Sequence, residues 1–152
     1  MPRFSAICIA LLGALTLAAC FGPAKDTHPN QVLTKRNALF KQFTRTLEPM
    51  VVVTNGRGEY DKETFLALAQ DLEKLSTKPW SYFPQDGNYP PTRARPEVWS
   101  NPAEFKQAQE KYRACISALV NAAQGDNLDK VKLAVGEVTS SCKSCHKQFR
   151  FE

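Results

Sequence analysis

Two cysteines and a histidine stand close together near the end of the chain, in the segment SSCKSCHKQFR at residues 140–150. Cys142 and Cys145 are three residues apart, and His146 follows at once. Thiols at this spacing can bind the two vinyl groups of a haem, and the adjacent imidazole can ligate its iron. The motif therefore predicts one covalently attached haem c per chain, with His146 as the metal ligand.

The N-terminus has the features of an export signal. Arg3 precedes an apolar run, residues 4–19, that is too short to span a bilayer but has the proportions of a signal peptide. The run ends in LTLAAC, which resembles the lipobox of bacterial lipoproteins and implies that Cys20 is lipidated; ordinary cleavage nearby is the alternative. Because Phe21 rather than Asp follows Cys20, we expect a periplasmic protein tethered to the outer membrane.

Two other interpretations of the motif are a disulfide between the cysteines and a zinc site. Zinc needs four ligands, and the other candidates, Cys115 and His28, are distant in sequence and show no paired spacing. An exported chain with so few cysteines is not a disulfide scaffold, so the haem interpretation is favoured. We expect Cys115 to be a small buried residue, with an intermolecular disulfide as the alternative.

The charge of the chain says little about partners. The 20 Lys and Arg and 15 Asp and Glu give a formal net charge of +5, and the charged residues are scattered. This pattern indicates a solvated surface and gives no sign of nucleic-acid binding.

Apolar residues recur every three or four positions in four segments, which predicts four amphipathic helices. We place them at residues 31–53, 61–77, 102–125 and 127–149, within a domain that spans residues 31–152 and follows a signal peptide (1–19) and a lipidated tail (20–30). Residues 78–101 are rich in proline, which argues against regular helix, but too aromatic for a disordered linker. The fold class is therefore all-α: an up-down-up-down antiparallel four-helix bundle with a long packed loop between helices 2 and 3.

The periodicity of the last helix places Cys142 and Cys145 on its buried stripe, so the haem would lie in the bundle core. A second axial ligand could come from Met50 or His28, but Met50 lies on an apolar stripe and His28 reads as a surface histidine. The iron is then expected to be five-coordinate and open to a diatomic gas.

Several segments resemble the alpha-helical cytochromes c′: TKRNALFKQF (34–43), KPWSYF (78–83), RPEVWSNPAEFKQAQ (95–109) and GDNLDKVKLAVGEVTSSCKSCH (125–146). The resemblance implies a high-spin haem c, an apolar distal side and a homodimer formed through the first two helices. It also implies that Arg36 lies near the haem propionates and Phe40 above the iron.

On the other side of the haem, the resemblance places Arg150 one helical turn beyond His146, beside a pocket for bound gas, with Phe149 packed nearby. Arg150 could equally be a cation that stabilises the helix C-terminus, and Phe149 an ordinary core residue.

These features support a gas-binding haem protein, not an enzyme, that captures nitric oxide and carbon monoxide. The alternative is a periplasmic electron-transfer cytochrome in which Lys143, Lys147 and Arg150 guide an acidic redox partner. A structural lipoprotein without haem is the third class, and a colourless purified protein would support it.

Overall fold

The structure, a computed structural model, describes residues 25–152. The predicted signal peptide and Cys20 lie outside the described residues. Five α-helices are present in the described part: α1 (Val32–Thr54), α2 (Lys62–Leu75), the short α3 (Glu97–Ser100), α4 (Pro102–Gln124) and α5 (Leu128–Phe149). None of these helices is apolar enough over a sufficient length to cross a membrane.

The four long helices form a closed ring, in which α1 packs on α2 and α5, and α4 packs on the same two helices. Two side-chain contacts give the relative direction of α2 and α4. Lys62, at the start of α2, bonds Asp126 just beyond α4 at 2.6 Å, whereas Ser117 in the middle of α4 donates to Glu73 near the end of α2 at 2.8 Å. These two helices are therefore antiparallel, and the predicted all-α four-helix bundle is confirmed.

Local signals account for the helix ends. The Asp61 side chain accepts a hydrogen bond from the Thr64 backbone at 2.8 Å and caps α2. Asn127 caps α5 in the same way through the Lys130 backbone at 3.0 Å. The α1 helix continues through Pro49 to Thr54.

The interior contains two apolar regions. One, the aliphatic core, lies among all four long helices, and its central side chains are fully buried: Met50, Leu72, Ile116, Leu119, Val131 and Val138. The other, the aromatic cluster, joins the α2–α4 connection to α1, α4 and α5 through the rings of Phe40, Trp80, Phe83, Phe105, Tyr112 and Phe149.

The α2–α4 connection, residues 76–101 and called the loop below, is more regular than its proline content suggested. A 3-10 turn covers Trp80–Tyr82, and α3 follows later in the connection. The exclusion of regular helix was wrong here because Pro79 and Pro96 each precede a short helix, where proline sacrifices no helical hydrogen bond.

The N-terminal segment of the described chain is docked, although its sequence suggested a tail. The Asp26 carboxylate accepts hydrogen bonds from the Tyr89 hydroxyl at 2.6 Å and the Thr34 backbone at 2.7 Å. His28 stacks on Tyr89 with ring centroids 5.6 Å apart, and its Nε2 lies 3.2 Å from Asp86. Interpreting His28 as a surface histidine was therefore wrong: these contacts form an N-terminal clasp that ties α1 to the loop.

Candidate functional site

The two motif cysteines lie in the last turns of α5, and both are half-buried free thiols. Cys142 packs against the aliphatic core, and Cys145 packs against the part of the aromatic cluster that contains Phe105 and Phe149. Burial raises the pKa of each thiol to about 11, so both are neutral at physiological pH. The pair therefore lies on the border between the two apolar regions.

The expected position of the cysteines within the buried stripe of α5 needs a correction. Ser141 and Phe149 are buried, whereas Cys142 and Cys145 are only partly so. The thiols thus lie at the edge of the stripe. A group bound at this edge could reach both thiols while one side of the group remained near solvent.

His146 is exposed, yet its imidazole is partly desolvated. Desolvation lowers the pKa of His146, and the nearby positive charge of Arg150 lowers it further. Both causes favour the neutral imidazole, the form in which a ring nitrogen can donate its lone pair to a metal.

Arg150 lies just beyond α5 in extended backbone, not on a further helical turn. Its backbone N–H donates to the His146 carbonyl at 3.0 Å, and it forms an isolated antiparallel bridge with Ala94. The Phe151 N–H donates to the Arg93 carbonyl at 2.8 Å and extends this pairing. The helix ends at Phe149, and the backbone beyond it pairs with the loop.

Phe149 is buried and meets the Phe105 ring at a centroid distance of 5.1 Å. Phe105 in turn meets Phe83, also at 5.1 Å, and Phe83 lies 6.5 Å from Phe40. The residue predicted beside His146 and the residue predicted above the iron thus belong to one aromatic cluster.

Phe40 is half-buried on α1 and makes edge-on contacts with three rings. Its centroid lies 5.5 Å from Phe43, 6.1 Å from Trp80 and 6.5 Å from Phe83. Such edge-to-face geometry is the favoured arrangement of aromatic pairs. The surroundings of Phe40 are therefore apolar rings.

Arg36 is 3% exposed, and its guanidinium contacts the loop. Its guanidinium donates to the Tyr82 carbonyl at 3.3 Å and to the Thr92 hydroxyl at 2.7 Å, and it lies 4.3 Å from the centroid of Phe83. Burial lowers the pKa of Arg36, partly offset by the Tyr89 and Asp26 groups. In this structure Arg36 fastens the loop to α1.

The residues present fit a covalently attached haem better than the alternatives. Two neutral thiols one helical turn apart border an aromatic cluster, and a neutral imidazole adjoins them. Within residues 25–152 no three His, Cys, Asp or Glu side chains come together as a group that could hold a metal ion. Met50 is fully buried in the aliphatic core, and Cys115 is half-buried against the same core.

Sequence reasoning noted the aromatic residues of the loop but did not place Trp80 or Phe83 at the site. Both contact Phe40, and their signal in the sequence was the high aromatic content of a proline-rich segment. A separate cavity of about 450 Å³, lined by Glu73, Glu110 and Arg113 among others, does not include the motif.

Comparison with known proteins is consistent with this geometry. A family model described as Cytochrome C' matches residues 31–150. A cytochrome c' of Alcaligenes xylosoxydans xylosoxydans is 39% identical over 125 residues, which cover 80% of this chain and 94% of the relative. A cytochrome c' of Rubrivivax gelatinosus is 28% identical over 125 residues, which cover 80% of this chain and 95% of the relative.

Two solved structures of Alcaligenes xylosoxidans cytochrome c prime variants superpose well on this chain. The nitric oxide complex of one mutant has a TM-score of 0.78 at 32% identity and covers 84% of this chain and 99% of its own. A carbon monoxide-bound variant has a TM-score of 0.78 at 32% identity and covers 84% of this chain and 100% of its own.

Proposed function

The chain belongs to the cytochrome c′ family, and on this premise we propose that it is a gas-binding haem protein that sequesters nitric oxide and also binds carbon monoxide. It carries one haem c, its iron is five-coordinate and high-spin, and it is not an enzyme. The nitric oxide and carbon monoxide complexes of its structural neighbours support this proposal.

Cys142 and Cys145 would hold the haem through thioether bonds, and His146 would ligate its iron. When bound, the haem supplies an iron atom with an axial position that can accept a diatomic gas. The burial that raises the pKa of the thiols also places them against apolar side chains, which suit a porphyrin face.

The observation that carries the proposal is the chemistry around Phe40. Its ring neighbours are Phe43, Trp80 and Phe83, none of which is a metal ligand of the kind that electron-transfer cytochromes use. Met50 is enclosed in the aliphatic core, and His28 is engaged in the N-terminal clasp. The proposal is therefore that no second protein ligand competes with gas.

An apolar ring above the iron also selects among gases. Bound dioxygen is polar and is stabilised by a hydrogen-bond donor, whereas nitric oxide and carbon monoxide bind without one. The Phe40 side chain has no hydrogen-bond donor. Its ring would exclude water and leave little space for a ligand. We propose that Phe40 is the distal gate and that Arg36 lies near the haem propionates.

On the opposite side, Arg150 and Phe149 flank His146. The positive charge of Arg150 lies close enough to influence the imidazole, which supports a role for this residue beside the ligand. We propose that these two side chains line the proximal side of the haem.

The absorption spectrum of the reduced holoprotein, with and without nitric oxide, tests the proposal. We expect a high-spin ferrous spectrum that changes when nitric oxide is added. In Phe40→Ala, removal of the gate should raise carbon monoxide affinity by about tenfold or more, which corresponds to about 1.4 kcal/mol. Leu47→Ala, another half-buried apolar position on α1, is the matched control. Unchanged affinity in Phe40→Ala would show that the gate is assigned wrongly.

Electron transfer is the second candidate because Lys143, Lys147 and Arg150 are exposed around the exposed His146. Positive charges at this edge would guide an acidic redox partner to the haem. A low-spin ferrous spectrum, which requires a second protein ligand, would favour this function over gas binding.

We further propose that the protein is exported to the periplasm, lipidated at Cys20 and tethered to the outer membrane, and that it dimerises through α1 and α2. Mass spectrometry of the mature chain tests both modifications, because the lipid and the haem add separate masses to separate peptides. Sedimentation of the holoprotein tests the dimer.

A further inference from the structure

We infer that Trp80 is a positioning residue that fixes the Phe40 ring, and so determines how strongly the gate opposes an entering gas. The inference rests on the proposed role of Phe40 as the distal gate. It concerns a loop residue that lies on neither the haem motif nor the helix that carries the gate.

The Trp80 indole is anchored independently of α1. Its Nε1 donates a hydrogen bond of 2.7 Å to the carbonyl of Ser76, the residue that caps the end of α2. Ser76 is itself buried, and its hydroxyl bonds the Glu73 carbonyl at 2.7 Å. Pro79, directly before Trp80, is fully buried. The ring is therefore held by α2 and by the start of the loop.

Three aromatic rings besides Phe40 contact the indole. Phe105 and Tyr112, both on α4, meet it edge-on at 6.0 and 6.4 Å, and Phe83 stacks on it at 6.4 Å. All three rings are at least partly buried, and Tyr112 and Phe105 belong to the protein core. These ring contacts and the hydrogen bond to Ser76 restrict the movement of Trp80 when its contact with Phe40 is pushed.

Phe40 is consequently held by rings of different origin, one on its own helix and two from the loop. Phe43, one turn further along α1, meets it edge-on at 5.5 Å and moves with the same helix. Trp80 meets it at 6.1 Å with an interplanar angle of 70° and belongs to α2 and the loop. Phe83, whose ring lies 6.5 Å from Phe40, also belongs to the loop, but Trp80 lies closer and is hydrogen-bonded to the end of α2, so loss of Trp80 should free the Phe40 side chain to swing.

Trp99 provides a matched control in the same loop region. It is also half-buried, and its Nε1 also donates a 2.7 Å hydrogen bond to a backbone carbonyl, that of Pro84. Trp99 contacts Phe83 at 6.4 Å but makes no ring contact with Phe40. A general loosening of the loop would affect both tryptophan variants, whereas positioning of Phe40 is specific to Trp80.

The test is a double-mutant cycle on the ferrous holoprotein, with Trp80→Leu and Phe40→Ala measured singly and together. We expect Trp80→Leu to raise carbon monoxide affinity by about three- to tenfold when Phe40 is present and to have no effect in Phe40→Ala. Trp99→Leu should leave the affinity unchanged in both backgrounds. The denaturant midpoint gives a readout that does not depend on gas. The change in midpoint in the Phe40→Ala, Trp80→Leu double variant should differ from the sum of the two single changes, whereas the changes for Phe40→Ala and Trp99→Leu should add.

The inference would be overturned if Trp80→Leu changed carbon monoxide affinity equally with and without Phe40, or if Trp99→Leu changed it as much as Trp80→Leu does. Neither result would affect the assignment of Phe40 as the gate. If Phe40→Ala itself left the affinity unchanged, the gate and the inference would both fail. Should Trp80→Leu not fold, Trp80→Phe keeps an aromatic ring while it removes the bond to Ser76 and part of the indole surface. That variant should show a smaller change of the same sign, and no change would contradict the inference.

Discussion

The aliphatic core and the aromatic cluster are built on the same helices but by different kinds of contact. Side chains of the aliphatic core come from the four long helices, and its central members are completely buried. The aromatic cluster depends on Trp80 and Phe83 from the loop, which are only partly buried. The comparison indicates that helix packing supplies most of the stability, whereas loop contacts shape the end of the bundle that carries the motif.

The largest effect on stability is expected in the aliphatic core. Leu119→Ala would leave a cavity at a fully buried position and should lower the free energy of unfolding by about 2–5 kcal/mol. Denaturant unfolding measures this change. Leu133→Ala, at a position 68% exposed, should change it by less than about 0.5 kcal/mol. If Leu119→Ala altered carbon monoxide affinity as well, the aliphatic core and the aromatic cluster would not have separate roles in stability and gas binding.

A smaller effect is expected where the loop is fastened to α1. Arg36→Met would remove the hydrogen bonds to Tyr82 and Thr92 and the contact with Phe83, at a cost of about 1–3 kcal/mol. Hydrogen exchange should become faster in residues 82–92 and stay unchanged in the aliphatic core. Lys35→Met, at the exposed neighbouring position, is the control. Uniformly faster exchange would show that Arg36 supports the whole bundle instead.

The smallest effect is expected at the N-terminal clasp and depends on pH. Desolvation, the largest single contribution, raises the pKa of Asp26, but the hydrogen bonds from Tyr89, Thr34 and His28 together outweigh it and hold this pKa well below its usual range. Because the folded pKa is depressed, this carboxylate stabilises the fold above its unfolded pKa of about 4, and the contribution is lost as pH falls below that value.

The free energies of unfolding of Asp26→Asn and of the unmodified chain should therefore differ at neutral pH and converge as the solution becomes acidic. Asp71→Asn, at an exposed position paired with Lys74 on its own helix, is the control and should show little difference at either pH. A difference for Asp26→Asn that persisted unchanged at low pH would contradict the role of the carboxylate.

Sequence periodicity was sufficient to predict the bundle, because the burial of each long helix follows a local pattern of three and four residues. The motif was equally local, since Cys142, Cys145 and His146 lie within one turn and a half of α5. Arg36 lies on the apolar face of α1, but because it is charged it does not count among the apolar residues whose spacing predicts that face. The family resemblance singled out Arg36 as a residue near the haem propionates, but neither the resemblance nor the periodicity indicated its burial against the loop.

The contacts of the loop could not be predicted in the same way. The bridge between Ala94 and Arg150 joins residues far apart in the sequence, and neither segment has the alternating pattern of a strand. The stacking of His28 on Tyr89 is equally non-local. Such pairings depend on how the bundle positions the ends of its helices, which becomes known only when the whole fold is assembled.

The N-terminal clasp has a consequence for the proposed lipid anchor. Asp26 is fixed against the domain, and six residues of chain lead to it from Cys20, a stretch that reaches at most about 20 Å when fully extended. This reach is shorter than α1 itself, at about 34 Å. A lipid on Cys20 would therefore hold the bundle close to the bilayer surface with restricted tumbling, and gas that partitions into the membrane would meet the protein as it emerges.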